Sequence, residues 1–379
     1  MKRQDSLALA VIFLCISFAG SGLIAADRSR SFAVSRGGML EVNISGGNIT
    51  LNPWEKNEVF VAASGIDDEN AARFEMTQTG NTVRVEYRPR HGSDRLHLDI
   101  SLPSQFNTDL RTAGGNIEVR GAISGNLLGS TAGGDIRLND VNGRTDMKTS
   151  GGNVTAGNIR GDATLKTSGG DINLGNADGV VDVHTSGGNI RISNVGRTVT
   201  AKTSGGNIVV GNVGGEANVA TSGGNIDAGK IAGSAQLNTA GGNIELNGAT
   251  GMVTARTAGG NLRLHDISGS IQAATAGGDV EAELIPSGKG NSRLITAGGD
   301  VRISLPENSR ASIEAVIRIQ NWRRNGNRYE IRSDFPHQNY RKDEQSEEIR
   351  SNYVLNGGGE RITLETVNGN IEIRKLGRR

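Results

Sequence analysis

The chain has 379 residues, with 56 glycines but only two Trp, four Tyr and seven Phe, and its formal net charge is +1. A charge this close to zero gives no global attraction to nucleic acid or to an anionic membrane, so no nucleic-acid partner is predicted. The only cysteine is Cys15, which excludes a disulfide framework and makes a Cys-based metal site untenable.

Residues 1–26 are predicted to form a signal peptide for export. Two basic residues precede an apolar run from Leu7 to Ala19, and small residues follow up to the pair Ala25-Ala26, near which we expect cleavage. The run is shorter than the roughly 20 residues that a membrane-spanning helix needs. The mature chain is therefore predicted to lack cysteine and a transmembrane span, and to be periplasmic, associated with the outer envelope or secreted.

Residues 27–111 are predicted to form an N-terminal β cap. A solenoid needs its open end covered, because an exposed strand edge invites further pairing. Residues 44–49 hold an early copy of the repeat described next, which indicates that the cap is a degenerate part of the same fold. Apolar and polar residues alternate, as in half-buried strands, over Met39–Ile44, Glu58–Val61, Thr82–Tyr87 and Leu96–Ile100.

Residues 112–305 contain eleven copies of one motif, which consists of Thr, Ser or Ala, two Gly, Asn or Asp, and an aliphatic residue. Eight of the ten intervals between copies are 18 residues long. A fixed short period predicts a solenoid, in which each rung stacks only on its neighbours. The copies begin at Thr112, Thr131, Thr149, Thr167, Thr185, Thr203, Thr221, Thr239, Thr257, Thr275 and Thr296.

The rung that begins at Thr203 serves as a template. Aliphatic residues occupy its positions 6, 8, 11, 15 and 17, which predicts two short strands that pair in parallel with those of neighbouring rungs. Gly205 and Gly206 are expected to supply the positive φ of a sharp corner and to leave no Cβ in the way of the next rung. One rung buries too little apolar surface to be stable alone, so stability must come from stacking.

We therefore predict an all-β fold, a single-stranded parallel β-helix or β-solenoid with rungs of about 18 residues and irregular β caps at both ends. Eleven rungs at the usual strand spacing would give a rod about 50 Å long. We favour a right-handed solenoid, because Gly-Gly occurs once per rung and the apolar spacings are unequal. A left-handed helix built from three equal hexapeptides is the alternative.

Residues 306–379 are predicted to form a C-terminal cap. The period stops after Leu305-Pro306, and a polar, aromatic-containing excursion follows at about residues 321–352. The chain then returns to the fold with Ile362–Leu364 and a variant of the motif in Thr366–Ile373.

Three features together resemble the bacterial putative-adhesin family of β-strand-repeat proteins. These are the repeated Gly-Gly-Asn-Ile and Gly-Gly-Asp-Ile units, the strand ends Leu102-Pro103 and Leu305-Pro306, and the closing segment Thr366–Ile373. The resemblance covers most of residues 37–376. It implies an exported, non-enzymatic β-solenoid, and it supplies no catalytic or ligand-binding residues.

The fifth residue of each rung forms a column of Asn and Asp. Calcium binding is one interpretation, because glycine-rich nonapeptide β-rolls also have 18-residue turns. We favour a structural ladder of side chains that hydrogen-bond to the backbone, since only four of the eleven residues are carboxylates. No metal and no cofactor are therefore predicted. The predicted ladder includes Asn153, Asp171, Asn189, Asn207, Asn225 and Asn243.

Position 18 of four consecutive rungs gives a basic column, which could bind phosphates, sulfates or acidic sugars. Aspartates two positions earlier on the same face dilute its charge, so a solvated face is the competing interpretation. The column consists of Lys148, Lys166, His184 and Lys202.

The excursion provides a second candidate patch for ligand binding. Trp and Tyr stack on sugar rings, and Arg with Trp or Tyr is enriched in binding hot spots. Packing within the cap is the competing interpretation. The patch consists of Trp322, Arg323, Arg324, Arg328, Tyr329, Tyr340 and Arg341.

The sequence contains no motif for catalysis. Its five His residues show no metal-ligand spacing such as HExxH, and there is no G-x-S-x-G elbow or P-loop. We predict a non-enzymatic adhesin or envelope binding module that recognises a glycan or another cell-surface macromolecule. The alternatives are a structural envelope protein that associates with itself and, with less support, a polysaccharide-acting β-helix enzyme.

Overall fold

β-strands and the corners between them make up almost all of the described part of the chain. The computed structural model describes residues 28–90, 95–288 and 290–377. The predicted signal peptide, residues 1–26 with Cys15, lies outside the described residues. Successive rungs stack in register as a parallel β-solenoid, which confirms the predicted fold class. The helices of the described part are a 3-10 helix, Asp68–Arg73, and a single-turn α-helix, Trp322–Asn325.

Sheet A forms the first long side of the rod. It contains the strand that follows the Gly-Gly corner of each rung, and it is parallel except for the first two strands at its N-terminal edge. In stacking order its strands are Arg28–Ala33, Glu58–Ser64, His97–Pro103, Asn48–Trp54, Ile117–Val119, Ile136–Leu138, Val154–Ala156, Ile172–Leu174, Ile190–Ile192, Ile208–Val210, Ile226–Ile231, Ile244–Ala249, Leu262–Ile267, Val280–Leu284, Val301–Leu305, Ile371–Lys375 and Ile331–Ser333.

Sheet B forms the second long side. It contains the strand that leads into the motif threonine of each rung, and antiparallel strands cover both of its ends. In stacking order its strands are Phe74–Thr79, Thr82–Tyr87, Met39–Ile44, Asn107–Thr112, Leu127–Ser130, Thr145–Lys148, Ala163–Lys166, Val181–His184, Val199–Lys202, Ala217–Ala220, Ala235–Asn238, Val253–Arg256, Ile271–Thr275, Ser292–Thr296, Glu360–Val367, Ala311–Arg318, Glu348–Leu355 and Asn339–Asp343.

A third side, which the two-strand prediction did not include, closes each rung. It begins with the paired strands Ile123–Ser124 and Val141–Asn142, and it continues as single bridges between residues at position 11, such as Val195 with Val213. In the rung from Thr203 the aliphatic residues at positions 6, 8, 11, 15 and 17 point inward and are at most 3% exposed, whereas Val209 at position 7 faces outward. The core is therefore a stack of three-sided layers built from small aliphatic side chains.

The motif threonine ties each corner to the preceding rung. Thr203 is buried, and its Oγ1 donates a hydrogen bond to the carbonyl oxygen of Gly188 at 2.8 Å. Thr203 Oγ1 also accepts a hydrogen bond from the N–H of Gly206 at 3.4 Å. The arrangement recurs from Thr131 to Thr275. A buried hydroxyl that donates and accepts in this way loses nothing by leaving water, which explains why every copy of the motif begins with Thr.

The second glycine of the motif is required by the closeness of the preceding rung. A Cβ on Gly206 would lie 2.1 Å from the carbonyl oxygen of Gly188, whereas one on Gly205 would lie 3.2 Å from that of Gly187. None of the Gly-Gly pairs in the eleven motifs between residues 114 and 299 has a left-handed backbone. The prediction of a positive φ at these corners is therefore wrong. Glycine is needed because the backbone of the preceding rung lies where a Cβ would be.

At both ends the stacking order differs from the chain order. The rung of residues 39–54 lies between the rungs of residues 82–103 and 107–119. The last rung of the chain, residues 360–375, likewise lies between the rung of residues 292–305 and strands from residues 311–333. These two rungs are therefore paired with other strands on both of their edges.

We expect Gly206→Ala to lower the free energy of unfolding by about 2 to 3 kcal/mol, because the added Cβ meets a backbone oxygen that cannot move aside. Gly205→Ala in the same corner is the matched control and should cost less than about 1 kcal/mol. Urea unfolding of both variants measures the difference. Equal costs for the two substitutions would contradict the steric explanation.

Candidate functional site

The Asn and Asp column forms a continuous hydrogen-bonded ladder at the corner before sheet A. Asn207 Oδ1 accepts the backbone N–H of Asn225 at 2.8 Å, and the N–H of Asn207 donates to Asn189 Oδ1 at 2.9 Å. Because one side-chain oxygen of each member accepts a backbone hydrogen, the column stabilises the corner. Its members are Asn48, Asn116, Asp135, Asn153, Asp171, Asn189, Asn207, Asn225, Asn243, Asn261, Asp279, Asp300 and Asn370.

We expect Asn207→Asp to leave the free energy of unfolding within about 0.5 kcal/mol of the wild-type value, because the acceptor oxygen is kept. Asn207→Ala removes the acceptor and should cost about 1 kcal/mol. Chemical unfolding of the two variants tests this. Equal stabilities would show that the ladder oxygen contributes nothing.

Two further structural facts apply to residues 28–90, 95–288 and 290–377. In these ranges no three or more His, Cys, Asp or Glu side chains are grouped so that they could hold a metal ion. The same ranges contain no helix with the length and apolar character needed to cross a membrane.

The basic column lies in register on the outer face of sheet B, where three of its four members, Lys148, Lys166 and His184, contact carboxylates. Lys148 Nζ lies 3.1 Å from Asp146 Oδ1. Asp182 contacts two members of the column, and its carboxylate oxygens lie 3.3 Å from Lys166 Nζ and 2.6 Å from His184 Nε2. This pairing favours a solvated face over a site for anions. The residues in register are Lys148, Lys166, His184 and Lys202.

The first half of the C-terminal patch packs within the cap. Trp322 and Tyr329 are partly buried against the core. A Cβ on Gly326 would lie 2.9 Å from the indole ring of Trp322, so this ring rests directly on the glycine. The guanidinium of Arg328 lies 5.9 Å from the centre of the Tyr329 ring. These contacts favour cap packing. The exposed neighbours on the single-turn helix are Arg323 and Arg324.

The second half of the patch lies on a separate element, the outer strand Asn339–Asp343. Tyr340 is 41% exposed and its ring centre lies 6.1 Å from that of His337. Burial, and then the negative charge of Glu330, raise the pKa of Tyr340 above its usual value. Arg341 forms an ion pair with Asp343 at 2.7 Å. The patch is thus divided between a helix and a hairpin.

We expect Trp322→Ala to lower the free energy of unfolding by about 2 kcal/mol, because a partly buried ring leaves a void over Gly326. Arg323→Ala, one residue along the same helix and exposed, is the control and should change it by less than about 0.5 kcal/mol. Urea unfolding followed by circular dichroism measures both. Unchanged stability of the Trp322 variant would instead favour an exposed ligand-binding role.

The clearest concave site is one that the sequence interpretation missed. A groove of about 780 Å³ runs along the third side over six consecutive rungs, and we call it the third-side groove. Position 10 of each rung forms one wall and position 12 the other. The second wall is low, because Gly196, Gly214 and Ala232 occupy its middle. The floor consists of Ala177, Val195, Val213, Ile231 and Ala249.

A second ladder of amides forms the position 10 wall. The Oδ1 atom of Asn194 accepts the backbone N–H of Asn212 at 3.0 Å, and the Nδ2 atom of Asn194 donates to Asn176 Oδ1 at 2.8 Å. The ladder ends where Asn212 Oδ1 accepts the N–H of Lys230. Its members are Asp140, Asn158, Asn176, Asn194 and Asn212.

An ion pair runs along the position 10 wall at one end of the groove. Lys230 Nζ lies 3.5 Å from Asp266 Oδ2, two rungs further on. The lysine side chain passes the intervening Gly248, where a Cβ would lie 3.3 Å from its Cγ atom. Asp266 has a left-handed backbone with φ of 49°. Asn176, Asn194 and Asn212 therefore form the uncharged part of the position 10 wall.

The repeats contained a signal for this groove. Asn recurs at position 10 of consecutive rungs, and Gly or Ala follows two residues later in the middle rungs. On a two-sided rung these residues would be an ordinary loop. They form a site only because a third side stacks them in register.

Comparisons with known proteins agree with this fold. A protein-family model described as Toastrack DUF4097 matches residues 38–211 and again residues 196–374, which confirms the family resemblance of the repeated motifs. No curated protein matches the chain.

Several solved bacterial structures are similar to the chain at low identity. A putative cell adhesion protein from Clostridium sporogenes is 9% identical, with 93% of this chain and 100% of that chain covered and a TM-score of 0.16. A putative adhesin from Parabacteroides distasonis is 14% identical, with 68% and 97% covered and a TM-score of 0.26. A putative adhesin from Parabacteroides merdae is 8% identical, with 93% and 96% covered and a TM-score of 0.23.

Proposed function

We propose that this chain, which belongs to the Toastrack DUF4097 family, is a non-enzymatic binding module that holds an extended surface macromolecule in its third-side groove. The observation that carries the proposal is a concave site that runs along six stacked rungs and has an amide wall in three consecutive rungs. Preformed concave sites with a few well-placed polar groups are where proteins bind ligands. With export directed by residues 1–26, the module would act in or outside the envelope, as an adhesin or an envelope binding protein.

The groove is preformed, which favours binding. Its floor residues are at most 3% exposed and form part of the stacked core. The floor backbone is bridged between rungs, for example from Val195 N–H to the carbonyl oxygen of Asn212 at 2.9 Å. A site that is already ordered loses little conformational entropy when a ligand binds.

The carboxylates of the groove are too far apart to act together in hydrolysis. Asp178 and Asp266 lie at opposite ends, five rungs apart, which corresponds to about 24 Å. Glycoside hydrolysis needs two carboxyl groups within about 10 Å of each other. Among the described residues that line the groove there is no His, Cys or Glu to serve instead. This arrangement supports binding rather than catalysis.

We expect Ala232→Tyr to fill the groove and to weaken binding of a linear polymer at least about tenfold, or 1.4 kcal/mol. Ala232 is exposed on the low wall, so the new ring can enter the groove without disturbing the core. Surface plasmon resonance of the purified protein over immobilised linear polysaccharides and peptides measures the effect.

Ala240→Tyr is the matched control, because Ala240 is also exposed but lies at a motif corner outside the groove. It should leave the affinity unchanged. Size-exclusion chromatography of both variants checks that neither alters self-association, the alternative function. Polymer binding that both variants weaken equally, or that neither weakens, would contradict a role for the groove.

A further inference from the structure

We infer that the occupant of the third-side groove is a neutral polysaccharide chain, an inference that rests on the proposed binding function. Four properties of the groove narrow the chemistry of its ligand. They are the amide hydrogen-bond donors, the spacing of the rungs, the pairing of the backbone and the balance of charge.

In three consecutive rungs the position 10 wall offers one amide donor each, from Asn176, Asn194 and Asn212. In Asn194 the oxygen accepts from the rung after it and the nitrogen donates to the rung before it. An amide nitrogen carries two hydrogens, so one N–H remains for a ligand. The oxygens of this wall already accept hydrogen bonds within the ladder. A ligand rich in acceptor oxygens, such as the hydroxyl, ring and acetamido oxygens of sugars, is therefore favoured.

The spacing of these donors suits a sugar chain better than a peptide. Equivalent amides recur at the rung spacing of about 4.8 Å. One β-linked hexopyranose unit has nearly this length, so a sugar chain advances about one unit per rung. In a β-1,4-linked chain, whose successive units are turned over, every second unit presents the same atoms to the wall. An extended peptide advances about 3.3 Å per residue, so it loses register with the rungs.

The floor also has no free strand edge for a peptide to pair with. The N–H of Gly214 donates to the carbonyl oxygen of Val195 at 2.8 Å, and the N–H of Val213 donates to that of Lys230 at 2.9 Å. Addition of a peptide strand requires unpaired backbone N–H and C=O groups along an edge. Here these groups are used between rungs, so recognition must come from side chains and surface shape.

The balance of charge disfavours ionic polymers. The charged residues that line the groove are Asp178, Lys230 and Asp266, and the lysine is paired with the second aspartate. The rungs of Asn194 and Asn212 contribute no charge to the groove. A polyanion would be repelled by Asp178, and a polycation would find only one unpaired carboxylate. A neutral chain avoids both costs.

The amide donors set the length of chain that makes repeated contacts. Three consecutive rungs offer an amide, from Asn176 to Asn212, so affinity should rise with chain length and then level off. At one sugar per rung, levelling is expected at about three units.

Isothermal titration calorimetry of the purified protein tests the inference. The neutral probes are length series of β-1,4-linked glucose, mannose and N-acetylglucosamine oligomers, and the comparison probes are oligogalacturonates and a Ser/Thr-rich peptide. We expect binding by at least one neutral series, with the length dependence given above. Ala232→Tyr should weaken it at least about tenfold, and Ala240→Tyr should not.

The outcomes separate this inference from the proposed function. Binding of oligogalacturonate or peptide that Ala232→Tyr abolishes would overturn the neutral chain and leave groove binding intact. Absence of binding by every neutral series, or neutral binding that ignores Ala232→Tyr, would likewise overturn it. If Ala232→Tyr alters binding of no polymer at all, the proposed function itself fails.

Discussion

The rod depends on the contact between stacked corners, where the backbone of one Gly-Gly pair lies against the backbone of the next. Because no side chain separates Gly206 from Gly188, the Thr203 hydroxyl reaches the carbonyl oxygen of the preceding rung and the Asn207 amide reaches both neighbours. A wider corner would break both hydrogen bonds at once. Every rung therefore follows the same path, and any surface feature repeats at the rung spacing.

Much of the fold could be predicted, because the same residue types recur at the same positions of every rung. The inward aliphatic residues, such as Ile208 and Val219, lie at fixed offsets from the motif and are buried as expected. The backbone reason for glycine could not be deduced, because a left-handed turn and a close approach both select Gly. Only the stacked structure distinguishes them. The order of the terminal rungs was equally hidden, since Thr366–Ile373 shows the motif but not the layer that it occupies.

The candidate site was harder to predict, because it arises where small residues leave space between larger ones. Large or charged residues such as Trp322 and Lys166 are readily proposed as ligand-binding residues from a sequence. In the structure, however, Trp322 packs within the cap and Lys166 is paired with a carboxylate. The groove exists where Gly196, Gly214 and Ala232 leave space beside an amide wall. Small residues carry no chemistry of their own, and their meaning depends on what is stacked around them. The third side supplies that context.

The position of the terminal rungs has a mechanical consequence. Under the proposed binding function, tension along the chain would act first on the segments next to its termini. If the segment of residues 360–375 lay at the edge of the stack, tension could peel it away one hydrogen bond at a time. Because it lies between two other layers in both sheets, two ladders must yield together in each sheet before it is released. The rung of residues 39–54 is also paired on both edges, but Arg28–Ala33, which precedes it, is an edge strand of sheet A, so the segment next to the C-terminus is the better protected of the two.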